Sequence, residues 1–195
     1  MAKAGQSISN PLTGQRVVYV TTAAETDGTS LDLEWFVEPF RGKYPPEHVH
    51  LNQNERFEII SGQARYRLGG VERAAGPGDV LDFPVNVPHI HPWSTSADGL
   101  HLRHHVECLT PDLRGLQAIE KLGETSYGLA RDGKGGRDGT GNPFQAAVLG
   151  AELLPGVHPT RPPLIVQRIA VGILAPIGRL LGYRAQYPQY TDTSG

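Results

Sequence analysis

Cysteine is almost missing from this chain: Cys108 is the sole thiol among 195 residues, so no internal disulfide can staple the fold and an apolar core has to hold it. Charge bias is missing as well. With 18 basic and 20 acidic residues and a formal net charge of −2, there is no electrostatic footprint for DNA or RNA, and no nucleic-acid partner is expected. The polar start Met-Ala-Lys-Ala-Gly-Gln-Ser lacks the apolar run of a secretory signal, which makes a cytoplasmic location the expectation. The longest charge-free apolar stretch, Ile169 to Gly178, is shorter than the roughly 20 residues that a bilayer-spanning helix takes. Neither the GxGxxG nor the GxxxxGK[ST] phosphate loop is present in the glycine-rich run from Arg131 to Asn142, which reads as a flexible loop.

What the chain does have is a series of short strands. Between about Gly14 and Leu109, segments rich in β-branched and aromatic residues alternate with Gly, Pro, Asn and Asp: Arg16 to Thr21, Leu31 to Pro39, Arg56 to Ile60, Ala64 to Leu68, Val80 to Phe83 and Leu100 to Cys108. Gly69-Gly70 marks a two-residue hairpin. Closely linked strands without intervening helices indicate a closed barrel or sandwich. After Thr110 the period changes. Thr110-Pro111 is read as a cap with proline at the first helical position, and Leu113, Leu116, Ile119 and Leu122 then recur at helical spacing. Asn142-Pro143 opens a second helix, Phe144 to Leu154, and Pro163 starts a third that reaches Leu181, with Pro176 as a kink and Gly182 as its stop.

Two stretches carry the chemistry. His48 and His50 stand two residues apart on an extended segment, so both side chains leave one face and can share an ion. Glu55 follows a polar turn and shares a face with Phe57 and Ile59, and His89 arrives after Pro84-Val-Asn-Val-Pro88. Three imidazoles and a carboxylate make a ligand set for one divalent transition metal, Fe, Mn, Ni, Cu or Zn, and an octahedral ion would keep two positions open.

These stretches resemble the paired motifs of the cupin superfamily. The first motif is matched throughout by Gly42, His48, His50, Glu55 and Gly62; in the second, Gly78, Pro84 and His89 match, while Asn86 replaces the usual glycine and Trp93 the usual asparagine. The resemblance implies a mainly β protein built on an antiparallel jelly-roll barrel over residues 1–110, a metal within it, and frequently a homodimer. Residues 111–195 would then form a C-terminal α-helical extension with no counterpart in the minimal barrel.

Strand alternation points His91 and Trp93 inward with His89, unless Pro92 introduces a bulge, and sets His104 on the apolar face of its strand with Leu102 and Val106. Trp35, Phe57, Tyr66 and Trp93 are read as barrel core or as substrate walls, while His101 and His105 fall on a solvated face. An ion with open positions in an aromatic cavity suggests an oxidoreductase of dioxygenase type acting on a small aromatic or diketone substrate. In that reading Glu55 serves as ligand or base and His91 or His104 relays protons. A metal-dependent isomerase, epimerase or cyclase, or a binding protein without turnover, remains as the alternative. The apolar third helix, flanked by Arg161, Arg168, Arg179 and Arg184, is expected to cover the barrel or a dimer seam in preference to a membrane surface.

Overall fold

The computed structural model describes residues 2–39, 46–135 and 142–191; Gly42 and the middle of the run between Arg131 and Asn142 lie outside them. The strands are β1 (Ser7–Asn10), β2 (Gln15–Thr21), β3 (Ser30–Val37), β4 (His48–His50), β5 (Gln53–Ser61), β6 (Ala64–Leu68), β7 (Val71–Ala75), β8 (Val80–Phe83), β9 (His89–Ser94), β10 (Leu100–Cys108) and β11 (Val157–Pro159). They form two antiparallel sheets, ordered β1-β2-β3-β10-β5-β8 and β11-β4-β9-β6-β7. From β3 to β10 the chain deals its strands into β3-β10-β5-β8 on one side and β4-β9-β6-β7 on the other, which is the double Greek-key order of a jelly roll.

A period of two decides which residues go inside. On β5, Gln53, Glu55, Phe57 and Ile59 are buried, and on β10 so are Leu100, Leu102, His104 and Val106, while Arg103 and Glu107 turn to solvent. One core cluster lies between the sheets, formed by Phe57, Ile59, Leu81, Phe83 and Leu102 on one wall and Ala64 and Tyr66 on the other. A second gathers Ile8, Val17, Tyr19, Leu31, Leu33 and Val106 around Leu116 and Tyr127. Fully burying such a side chain contributes roughly 1.5–3 kcal/mol.

The second cluster exists because α1 (Leu113–Arg131) lies against β1 and β2. Its cap differs from the sequence expectation: the Asp112 side chain accepts the Gly115 N–H at 2.9 Å, so Pro111 precedes the helix and Leu113 opens it. Polar clamps join α1 to the N-terminal strands. The buried Glu120 carboxylate accepts the Ala23 N–H at 2.8 Å, the Tyr127 hydroxyl donates to Gln15 at 2.9 Å, and Gln6 donates to Glu124 at 3.3 Å. Burial pushes the Glu120 carboxyl up to about 7.

Asn142 accepts from the N–H groups of Phe144 and Gln145 and so starts α2 (Pro143–Leu153), on which α3 (Leu164–Leu180) packs. α3 does not spread over the barrel as the sequence suggested; it lies on α2 and reaches β11 through Gln167, which donates to the Pro159 carbonyl at 2.7 Å. The short strand β11 pairs with β4, matching Val157 to His50 and Pro159 to His48. Residues beyond the boundary near 110 thereby supply the edge strand next to two of the histidines.

Two turns fix how β4, β5 and β9 meet. Gly62 has φ of +87°, and a Cβ there would stand 2.2 Å from the Gly99 carbonyl oxygen, so only glycine fits. Asn86, the departure from the cupin pattern, has φ of +63°, a left-handed conformation that asparagine tolerates, and its N–H donates to the His50 carbonyl at 2.8 Å. Urea unfolding is therefore expected to show G62A weaker by about 2–4 kcal/mol and N86G changed by less than about 1 kcal/mol. An unaffected G62A would show that the Gly62–Gly99 approach does not constrain the fold.

Candidate metal centre

The site is built around Glu55, near the start of β5, which lies between β10 and β8 and sets it opposite Val106 and Phe83. His89 Nε2 lies 2.9 Å, His91 Nε2 3.1 Å and His50 Nε2 3.5 Å from Glu55 Oε2. His48 Nε2 completes the group, 3.1 Å from His89 Nε2 and 3.2 Å from His91 Nε2. The five donor atoms all lie within 4.8 Å of one another.

The protons of these rings can be placed from their outer contacts. His48 Nδ1 lies 3.0 Å from the Pro46 carbonyl, His89 Nδ1 2.8 Å from the Val87 carbonyl, and His50 Nδ1 3.2 Å from the Gln53 amide oxygen. Each Nδ1 faces an oxygen and donates its proton there, so a ring in its neutral form turns a bare Nε2 lone pair toward the others and toward a carboxylate. Such a set repels itself unless a cation lies between. Donors each about 2.1 Å from a common ion stand roughly 3.0–3.4 Å apart, and the separations of 2.9 to 3.5 Å match. The cluster can hold a metal ion, with the protein's imidazoles and Glu55 as its ligands.

Electrostatics agree. Burial, helped by the nearby His91 and His89, holds His48 well below the usual imidazole value, and burial brings His50 from 6.5 down to about 4. Burial works to raise the Glu55 carboxyl, but His91, His50 and the hydrogen bond from His104 outweigh it and keep the group ionised. His104, lowered by its own burial, is neutral; its Nε2–H donates to Glu55 Oε1 at 2.9 Å.

Four residues named from sequence as ligands, His48, His50, Glu55 and His89, thus meet at one point, and His91 joins them with a side chain 21 % exposed. His104 touches Glu55 from the opposite side, its ring stacked 4.1 Å from Phe57. Trp35 stands 6.0 Å from His104, and Tyr66 5.6 Å from Phe83. Trp93 is placed differently. The β6–β9 register shifts at Pro92, so Trp93 pairs with Arg65, and opposite residues of antiparallel strands share a face. Arg65 is exposed while Ala64 and Tyr66 are buried, yet Trp93 is itself buried at 6% exposure. His101 and His105 are outside, bonded to Glu34 and Asp32.

Two residues of the site escaped the sequence reading. Phe83 packs edge-on against His89 at 5.1 Å; its alternation with the buried Leu81 was the available signal. Gln53, fully buried, orients His50, although it had looked like part of a polar turn.

Fold and donor set define a jelly-roll protein with a buried histidine–carboxylate cluster. Residues 36–102 match the cupin domain family. It is 31% identical over 91 residues to a protein of Arthrobotrys oligospora named an oxidoreductase; the match covers 47% of this chain and 36% of the relative, so it spans about a third of that protein. A solved structure from Thermotoga maritima, titled a predicted oxalate decarboxylase, is 18% identical with a TM-score of 0.46, covering 54% of this chain and 93% of its own. KdgF from Halomonas sp. is also 18% identical, with a TM-score of 0.40 and coverage of 48% and 79%.

Because His50 titrates near 4 in the folded chain, a bound cation displaces no proton from it at neutral pH. Protons compete for that nitrogen only as the pH approaches this value. NMR titration of the metal-free protein is expected to show the His50 ring taking up its proton near pH 4; titration of that ring at the ordinary imidazole value of 6.5 would contradict the burial described.

Proposed function

We propose that this cupin is a metal-dependent oxidoreductase of dioxygenase type acting on a small hydroxylated aromatic molecule. The observation that carries the reading is a pair of buried polar atoms. His104 uses Nε2–H on Glu55, which leaves its buried Nδ1 as a bare acceptor, and the Trp35 Nε1–H is a buried donor; neither has a hydrogen-bond partner among the described residues. Their rings are 6.0 Å apart. Buried polar groups are rarely left unpaired, and a hydroxyl, which both donates and accepts, satisfies the two together.

Phe57 and Phe83, nearly inaccessible to solvent, keep the wall beside the donors dry and offer flat surfaces to a ring. A bound metal supplies Lewis-acid polarisation and a path for electrons to dioxygen. Glu55 stays ionised and is steadied by His104. His91, with a side chain 21% exposed, can exchange a proton with solvent beside Glu55. The distant relative named an oxidoreductase lends support to redox chemistry.

An oxygen electrode tests this directly with iron-loaded protein and a panel of phenols and diketones. Substrate-dependent oxygen uptake by a phenol is expected, with KM raised roughly tenfold in W35F for the loss of one hydrogen bond, about 1.4 kcal/mol. Silence across the panel would overturn the proposal. Turnover with zinc and without air would assign an isomerase, epimerase or cyclase instead, and ligand-induced stabilisation without product would assign a binding protein.

A further inference from the structure

Helix α3 has two unlike faces. Val171, Leu174, Ala175 and Gly178 turn to α2, so closely that a Cβ on Gly178 would stand 3.0 Å from the Phe144 carbonyl oxygen. The opposite face carries Ile165, Ile169, Ile173, Ile177 and Leu180, which are 64%, 57%, 59%, 41% and 88% exposed. Spacings of four and three residues hold these side chains in one line, a ridge roughly 22 Å long. Five aliphatic side chains aligned in water on a rigid helix pair mark a docking surface.

Charge says what docks. From Leu153 to Thr191 the chain has Arg161, Arg168, Arg179 and Arg184 and no Asp or Glu, although the protein as a whole has a net charge of −2. Arg179 pairs with Glu152 at 3.6 Å, whereas Arg161, Arg168 and Arg184 make no ion pair among the described residues. Arg161 precedes the helix, Arg184 follows it and Arg168 flanks the ridge. A second copy of the chain fits badly. The same face of a second copy would bring arginines toward arginines, with no Asp or Glu between residues 153 and 191 to meet them. A spanning role is also closed, because no described helix is long and apolar enough to cross a membrane, and one side of α3 is committed to α2.

We propose that α3 seats the protein on an anionic lipid surface. The helix lies parallel to the bilayer plane, with its isoleucine ridge at the acyl boundary and Arg161, Arg168 and Arg184 against phosphate headgroups. The sequence favours cover for the barrel or for a dimer seam; because α3 rests on α2 with the ridge turned away from it, the ridge needs another partner. Since β11 ties this helical unit to β4, a docked α3 also fixes the orientation of the metal-bearing sheet relative to the lipid.

Flotation of the full chain with vesicles of phosphatidylcholine, with and without phosphatidylserine, tests the proposal. Binding is expected to the phosphatidylserine vesicles, weakened by salt and lowered about fivefold by each of R161A, R168A and R184A. The double variant I169D/I173D, altered at exposed positions, is expected to keep its circular dichroism and metal content yet fail to float. Equal flotation on pure phosphatidylcholine, or no flotation with either vesicle, would overturn it. So would light scattering that shows a wild-type dimer broken to monomers by I169D/I173D, which would assign the ridge to a second copy.

Discussion

Everything in this protein answers to one buried carboxylate. Glu55 is 3% exposed and ionised, and three bare imidazole lone pairs face it. Removing a carboxylate from water carries a penalty of several kcal/mol, which His91, His50 and the hydrogen bond from His104 offset. His104 repays part through its N–H, but a single hydrogen bond to a charge recovers about 1.5–3 kcal/mol. A cation at the point of convergence turns the same arrangement from mutual repulsion into attraction. The functional reading and the pH behaviour both follow from that inversion.

The fold exists to hold the imidazoles in this awkward posture. Glu55 rides on β5, held between β10 and the edge strand β8, and cannot back away. The histidines approach from the other sheet. β4 is three residues long and meets β9 at one matched pair, His48 with His89, so it would be a frail support by itself. β11 stiffens it from the other side. The Leu51 N–H donates to Gly156 and the Thr160 N–H to Glu47, each at 2.8 Å, framing the two ligands. The helical extension is therefore part of the support of the site as well as the bearer of α3.

Much of this was legible in the sequence because the decisive signals are local. The His-X-His spacing forces a shared face on any extended segment, and alternation along β5 and β10 places Glu55, Phe57 and His104 inside regardless of tertiary detail. The doubled glycine between β6 and β7 announced its hairpin. What failed depends on contacts distant in sequence or on strain. α1 runs on past Leu122 through Gly123 and Gly128, poor helix formers, because Gly128 leaves room for the Tyr190 ring, a partner 62 positions away. Residues Val157–Pro159 are too few and too proline-bound to signal a strand; only the open edge of β4 makes them one. The register shift near Pro92, the bulge that proline allowed for, pairs Trp93 with Arg65 while leaving it buried. Gln53 looked like turn polarity until its oxygen was found beside His50 Nδ1.

Metal stoichiometry by elemental analysis bears most directly on the central claim. Wild-type protein, H48A, H50A, H89A and E55Q would be purified alike, exposed to the same ferrous or manganous solution and freed of loose ions by gel filtration. Near-stoichiometric metal in the wild type and its loss in all four variants, each still folded by circular dichroism, is the predicted result. Unchanged metal content in any histidine variant, or none in the wild type, would mean that these side chains converge for some other reason.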